Sequence, residues 1–188
     1  IYSSGSTGRP KGIMITHRNL HDGAHIVSDY LSIGPDDRIA GVLSFNFDYG
    51  LNQIWQCILT GASLHLHEFF LPNDLFAFLD DHKITVLPVM PVLISRMFNR
   101  NLISEDSPYR LDSVRLVCTS GGRVSQMMLD NTSSAFRSAE IFLMYGLTEA
   151  FRSTYLPPSE LAKRPNSIGK AIPDVELLVL DENGEECP

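Results

Sequence analysis

The stretch Val114-Arg115-Leu116-Val117-Cys118-Thr119-Ser120-Gly121-Gly122 decides the fold class. Its apolar, β-branched run through Thr119 reads as a buried strand that ends at a double glycine. A segment with helical spacing, Gln126 to Arg137, follows. A second short apolar run comes next, Glu140-Ile141-Phe142-Leu143-Met144. Strand, turn, helix and strand, with β-branched runs buried on both sides, is the alternation of α/β architecture. The alternation continues upstream. Thr16 is placed to cap a helix running to about Leu31, ahead of the breaker Gly34-Pro35. Arg38 to Ser44 reads as a strand, Leu51 to Leu59 as a helix ending at Gly61, and Ala62 to His67 as a strand. Asn73 or Asp74 is expected to cap a helix reaching His82. Ile84 to Leu87 is expected to form a strand stopped by Pro88, and Val92 to Phe98 a helix. Downstream, Pro157 to Pro165 reads as a loop, Val175 to Leu180 as a last strand, and Glu182-Asn183-Gly184-Glu185 as a hairpin turn. Repeated strand and helix predict α/β architecture, with layered sheets and flanking helices.

Composition narrows the function. A length of 188 residues suits one domain, within the usual span of roughly 100–200. With 44% hydrophobic residues the chain can bury a core. The balance of 22 acids against 15 bases, net −7, weighs against a nucleic-acid partner. Cys57, Cys118 and Cys187 are odd in number and lack metal-site spacing, so free thiols in a reducing, cytoplasmic setting are expected. No apolar run approaches the ~18 residues of a membrane span. His17, His21 and His25 share a helix face, but the Glu that a zinc-protease helix needs is replaced by Asp22. No GxSxG, Walker A, HRD or DFG signature is present, which weighs against hydrolase, GTPase and kinase readings.

The residues richest in chemistry open the chain: Tyr2-Ser3-Ser4-Gly5-Ser6-Thr7-Gly8-Arg9-Pro10-Lys11-Gly12. Glycines let successive backbone N–H groups converge on one point, and such a nest holds phosphate oxygens. The hydroxyls of Ser4, Ser6 and Thr7 add donors, and Lys11 adds a mobile positive charge. A polyphosphate needs this combination. Three more stretches stand out: Thr119-Ser120-Gly121-Gly122-Arg123, Met144-Tyr145-Gly146-Leu147-Thr148-Glu149-Ala150, and Ser167-Ile168-Gly169-Lys170-Ala171-Ile172-Pro173.

These four stretches together resemble the motifs of the adenylate-forming (AMP-binding) superfamily. That superfamily holds acyl-CoA synthetases, luciferases and the adenylation domains of peptide synthetases. The resemblance implies an AMP-forming ligase that activates a carboxylic acid with ATP and Mg²⁺. The acyl group then passes to coenzyme A or to the phosphopantetheine thiol of a carrier protein. It implies ATP contacts from Ser4, Gly5, Ser6, Thr7, Gly8, Lys11, Gly121, Gly122, Tyr145, Gly146 and Thr148. Tyr145 would lie against adenine, Thr148 would bond the α-phosphate, and Glu149 would hold Mg²⁺. Lys11, Thr148 and Glu149 would carry the catalytic charge neutralisation. The Thr119–Arg123 stretch departs from the family pattern after Gly122, where Val124-Ser125 stands, so the backbone of the glycines matters more there than Arg123.

At the substrate end, Phe45-Asn46-Phe47-Asp48-Tyr49-Gly50 occupies the place of the family's substrate-gate motif, and Phe47, Asp48, Tyr49 and Arg152 are the candidate substrate residues. The family's ligase histidine is absent. Phe47-Asp48-Tyr49-Gly50 is similar to the Phe-Asp-x-Ser of amino-acid adenylation domains, with Gly50 in place of Ser. Asp48 therefore either addresses a cationic substrate group or caps a helix beginning near Gly50. Arg152 either borders the acyl pocket or meets a surface acid. The segments FDYGLNQ and YGLTEAFRSTYLPP are also similar to a bacterial subgroup of acyl-CoA ligases that includes those accompanying exosortase systems. A non-catalytic nucleotide-binding module is a third reading.

Against the family's motif order, the chain is expected to be the centre of the large N-terminal domain. Residues 1–165 would form its ATP- and acyl-binding part, and 166–188 would open a small β subdomain. The family's ribose-binding Tyr-x-x-Gly-Asp segment and its mobile lysine-bearing domain are not in these residues. By this reading the 188 residues alone have little ligase activity and expose sheet edges.

Overall fold

A computed structural model describes residues 1–3, 9–98, 108–150 and 152–187. Two short strands, β1 (Tyr2–Ser3) and β2 (Lys11–Gly12), pair antiparallel and stand apart from the main sheet. Helix α1 (His17–Tyr30) begins where the sequence places its cap, since the Thr16 side chain accepts from the Asn19 N–H at 3.1 Å. Strand β3 (Arg38–Gly41) leads to α2 (Asp48–Thr60), β4 (Ser63–Leu66), α3 (Pro72–Asp81) and β5 (Val86–Val89). Helix α4 (Pro91–Met97), β6 (Leu116–Thr119), α5 (Gln126–Ala135) and β7 (Glu140–Tyr145) follow. The chain then turns back through β8 (Thr154–Leu156), the one-turn α6 (Pro158–Leu161) and β9 (Lys170–Ala171).

Seven of these strands form one sheet in the order β4-β3-β5-β6-β7-β8-β9. The pairs from β4 to β7 are parallel, and β8 and β9 add antiparallel to that edge. Each face of the sheet is covered. Ala40, Leu87, Val89, Val117, Ile141 and Leu143 pack with α3, α4 and α5, where Leu75, Phe76, Leu79, Ile94, Met97 and Leu129 are buried. Alternate residues on the other face, Ile39, Val86, Leu116, Cys118, Phe142 and Met144, pack with Val27 and Leu31 near α1 and Tyr49 of α2. The α/β class is the one the alternation implies.

Several local expectations are corrected. Neither Asn73 nor Asp74 caps α3: Leu71 holds the cap position, and Pro72 opens the helix at a position whose N–H is unbonded anyway. Pro88 does not stop its strand. The carbonyls of Thr85 and Val89 accept from Leu116 and Ser120 of the β6 side, so even-numbered residues of β5 address β3. Pairing with β3 is registered only at Ile39–Val86, so the missing Pro88 donor falls beyond that ladder. Val175 to Leu180 is not a strand. It is exposed, with one bridge between Leu180 and Glu186, and the 182–185 stretch turns the chain between them. The sequence also hides β8 and β9, which are too short for a periodic signal, and α6, which lies within the expected loop.

The strand order reverses between β3 and β5. In open parallel sheets a ligand crevice forms at the carboxyl ends of strands at such a point.

Candidate active site

A cavity of about 670 Å³ opens beyond the carboxyl ends of β6 and β7, bounded on one side by the start of α2. Its walls come from separate stretches: Phe47 and Asp48, Thr119 to Val124, Leu143 to Glu149, Arg152, and Pro165 to Ile168. Gly121 takes φ +84°, a left-handed conformation that lets the chain leave β6 along the cavity wall. Tyr145 ends β7 and stays 42% exposed. The loop after it carries Gly146, Thr148 and Glu149 along the same wall. Arg123 Nη2 donates to Asn166 Oδ1 at 2.8 Å, which ties the glycine turn to the 165–168 segment.

The floor is polar and buried. Asp48 is 4% exposed and Arg152 is 3% exposed. Arg152 Nη1 lies 3.8 Å from Asp48 Oδ2, and its guanidinium carbon sits 4.4 Å from the centre of the Tyr49 ring. Burial raises the Asp48 carboxyl above its ordinary range and Glu149 adds to this, while Arg152 opposes both. Asp48 is the first residue of α2, the cap position belongs to Phe47, and no side chain makes a capping bond there. Gly50 follows from the same close packing, since a Cβ at this position would overlap the Ser44 carbonyl.

Of the residues singled out from sequence, Phe47, Asp48, Gly121, Gly122, Tyr145, Gly146, Thr148, Glu149 and Arg152 line this one cavity. Tyr49 does not. It is buried beneath Arg152, and its hydroxyl donates to the Cys118 carbonyl at 2.8 Å. Lys11 is exposed on β2 and does not line the cavity. Ser4, Gly5, Ser6, Thr7 and Gly8 lie outside the described residues. The sequence reading left out Thr119 and the Pro165–Ile168 wall. Thr119 sat inside one quoted motif and Ser167-Ile168 open another, whereas nothing local marks Pro165 and Asn166 as neighbours of Arg123. Among the described residues no group of three His, Cys, Asp or Glu could hold a metal. His21 and His25 are placed against Asp22 and Asp29 at 3.2 and 3.0 Å. No helix of the described residues is long and apolar enough to cross a membrane.

Comparison with known proteins bears on this arrangement. The chain is 29% identical over 191 residues to surfactin synthase subunit 2 of Bacillus subtilis (strain 168), covering 97% of this chain and 5% of that protein. It is 29% identical over 198 residues to 4-coumarate–CoA ligase of Pinus taeda, covering 100% of this chain and 36% of that protein. Among solved structures, VinN superposes with a TM-score of 0.82 at 29% identity, over 100% of this chain and 46% of that one. VinN in complex with L-aspartate gives 0.79 at 30% identity, over 92% and 43%. The chain spans less than half the length of each of these proteins. The AMP-binding enzyme family model matches residues 1–188, and the chain belongs to that family.

Proposed function

We propose that the protein is an AMP-forming ligase that activates a carboxylic acid with ATP. The observation that carries this reading is the single cavity that joins the Gly121-Gly122 turn, the Tyr145–Glu149 loop and the Asp48–Arg152 floor. ATP lies along the glycine turn with adenine against Tyr145. The acid lies against the Asp48–Arg152 floor. A carboxylate oxygen attacks the α-phosphorus, the bond to the β-phosphate oxygen breaks, and pyrophosphate leaves with the electron pair. A thiol of coenzyme A or of a carrier-protein phosphopantetheine then takes the acyl group, and AMP departs.

The protein's part is positioning and charge neutralisation. Thr148 donates to an α-phosphate oxygen. Lys11 and the Ser4–Gly8 motif, in the roles the family resemblance implies, would screen the leaving pyrophosphate. One carboxylate beside phosphates suits Mg²⁺, which commonly takes few protein ligands and completes its shell with phosphate oxygens and water. Glu149 fits that requirement, and the ion would neutralise charge on the phosphates.

Of the acid classes, an amino acid is favoured. Asp48 lines the cavity and does not act as the helix cap. A buried carboxylate in that position suits a substrate ammonium. VinN, solved with L-aspartate and with 3-methylaspartate, supports the same class.

Acid-dependent exchange of labelled pyrophosphate into ATP by the natural full-length protein tests this. Exchange is expected with at least one carboxylic acid, and Glu149→Gln and Thr148→Ala are each expected to lower it by about 100-fold or more. Exchange that is absent with every acid, or unchanged in both variants, would overturn the reading.

A further inference from the structure

Behind one wall of the cavity stands a phenol that the cavity itself does not expose. Met144 lines the cavity and is only 6% exposed. It precedes Tyr145 on β7, and its side chain packs on the α1–α2 face of the sheet with Tyr49 and Cys118. On that same face Tyr49 lies under Arg152 of the cavity floor. Tyr30, the last residue of α1, reaches the Met144 thioether from outside the cavity: its hydroxyl donates to Met144 Sδ at 2.9 Å. The Tyr30 ring is itself held. Tyr155 of β8 stacks on it with ring centres 4.2 Å apart and planes 4° from parallel, and the Phe142 ring of β7 is centred 6.2 Å away. Burial raises the Tyr30 hydroxyl above its ordinary range, so it stays a protonated donor.

A methionine on a cavity wall is ordinarily adaptable. Its unbranched side chain turns about three bonds and fills whatever gap a ligand leaves. A wall that adapts takes acids of several sizes, whereas a wall held in one place discriminates between them. A hydrogen bond at the sulfur, from a ring that is stacked in place, removes much of that freedom. Removing the hydroxyl would leave the stack and the packed volume nearly intact and would free the thioether. We infer that Tyr30 is a positioning residue for the acid substrate: by fixing Met144 it sets how large a non-reacting part the cavity takes. This inference rests on the ligase reading above and holds whether or not the acid is an amino acid. Tyr30 acts through Met144 and touches no reacting atom, so the attack on the α-phosphorus is unchanged.

The test is pyrophosphate exchange by the natural full-length protein with graded series of acids. These are straight-chain amino acids from alanine to norleucine, acidic ones from aspartate to 2-aminoadipate, fatty acids from acetate to octanoate, and aryl acids from benzoate to 3-phenylpropanoate. The readout is kcat/KM for the best acid divided by that for its homologue one methylene longer. A fitted pocket separates such neighbours by about 10–200-fold. Tyr30→Phe is expected to lower the ratio by about 10-fold, mainly through a lower KM for the longer acid, with KM for ATP unchanged. Met144→Leu keeps the volume and removes the acceptor, and in that background Tyr30→Phe is expected to leave the ratio where it was. A thermal unfolding midpoint for each variant reads the fold separately. A merely structural role for Tyr30 would lower exchange with every acid alike at an unchanged ratio, and that result would overturn the inference. An equal effect of Tyr30→Phe in both backgrounds would also overturn it, as would a parent protein that does not discriminate between homologues. Exchange with no acid at all would remove the ligase reading itself, and the inference with it.

Discussion

Asp37 shows how much one side chain can organise. Its carboxylate accepts from the Gly34 N–H at 2.9 Å, from Thr85 Oγ1 at 2.7 Å, and from Arg115 Nε and Nη2 at 2.9 and 2.6 Å. Arg115 Nη2 also donates to the Ser32 carbonyl at 2.8 Å. This clamp ties the loop after α1 to the amino ends of β3, β5 and β6, at the opposite end of the sheet from the cavity. Burial raises the Asp37 carboxyl, but the bonds from Arg115, Thr85 and Gly34 outweigh it and hold the group below its ordinary range. A depressed folded value contributes stability above the unfolded value of about 3.9, and that stability is lost as pH falls through the lower folded value. Asp37→Asn is expected to cost about 1–3 kcal/mol at neutral pH in urea unfolding and to flatten the acid limb of stability against pH. A variant with unchanged stability at neutral pH would contradict the clamp. Cys118 offers a second check at this scale. Burial pushes its thiol up to about 12, so alkylation of the native protein near pH 8 should leave Cys118 unmodified and label it only after unfolding. Mass mapping of the alkylated peptide reads the result.

Helix α2 carries the site at the scale of an element. Its cap position and first residue supply Phe47 and Asp48 to the cavity, and Gly50 allows its first turn to approach the Ser44 carbonyl. Alanine normally favours a helix over glycine. Here Gly50→Ala is expected to destabilise by about 1–3 kcal/mol and to displace Asp48, because the added methyl overlaps backbone that cannot yield. A thermal unfolding midpoint equal to or above that of the parent would refute the close approach. The elements that were legible in the sequence have local causes: the Thr16 cap, the terminal Gly61 at φ +77°, and the buried run into Gly121-Gly122. Those that were not have causes elsewhere in the chain. Pro88 survives in a strand because its neighbour β3 has already left the ladder. Val175 to Leu180 has a strand's composition, but among the described residues no strand pairs with it beyond the Leu180 bridge, and its side chains lie exposed.

At the scale of the molecule, parallel strands deliver their carboxyl ends to one edge, and the candidate cavity opens there beyond β6 and β7, with the start of α2 on one side. The motif residues following β6 and β7 were legible because each sits at a strand end with glycine beside it. Their meeting with Asp48 and Arg152 was legible only through resemblance, since residues 48 and 152 approach through tertiary packing that no periodicity records. The Arg123–Asn166 bond was not legible at all, for the same reason. A site built this way has a definite chemical signature, because attack at the α-phosphorus and attack at the γ-phosphorus release different nucleotides. The most direct measurement is the product made by the full-length protein from ATP, Mg²⁺, a supporting acid and an acceptor thiol. AMP and pyrophosphate are expected in equal amounts, matched to the thioester formed. ADP and inorganic phosphate would contradict the ligase reading.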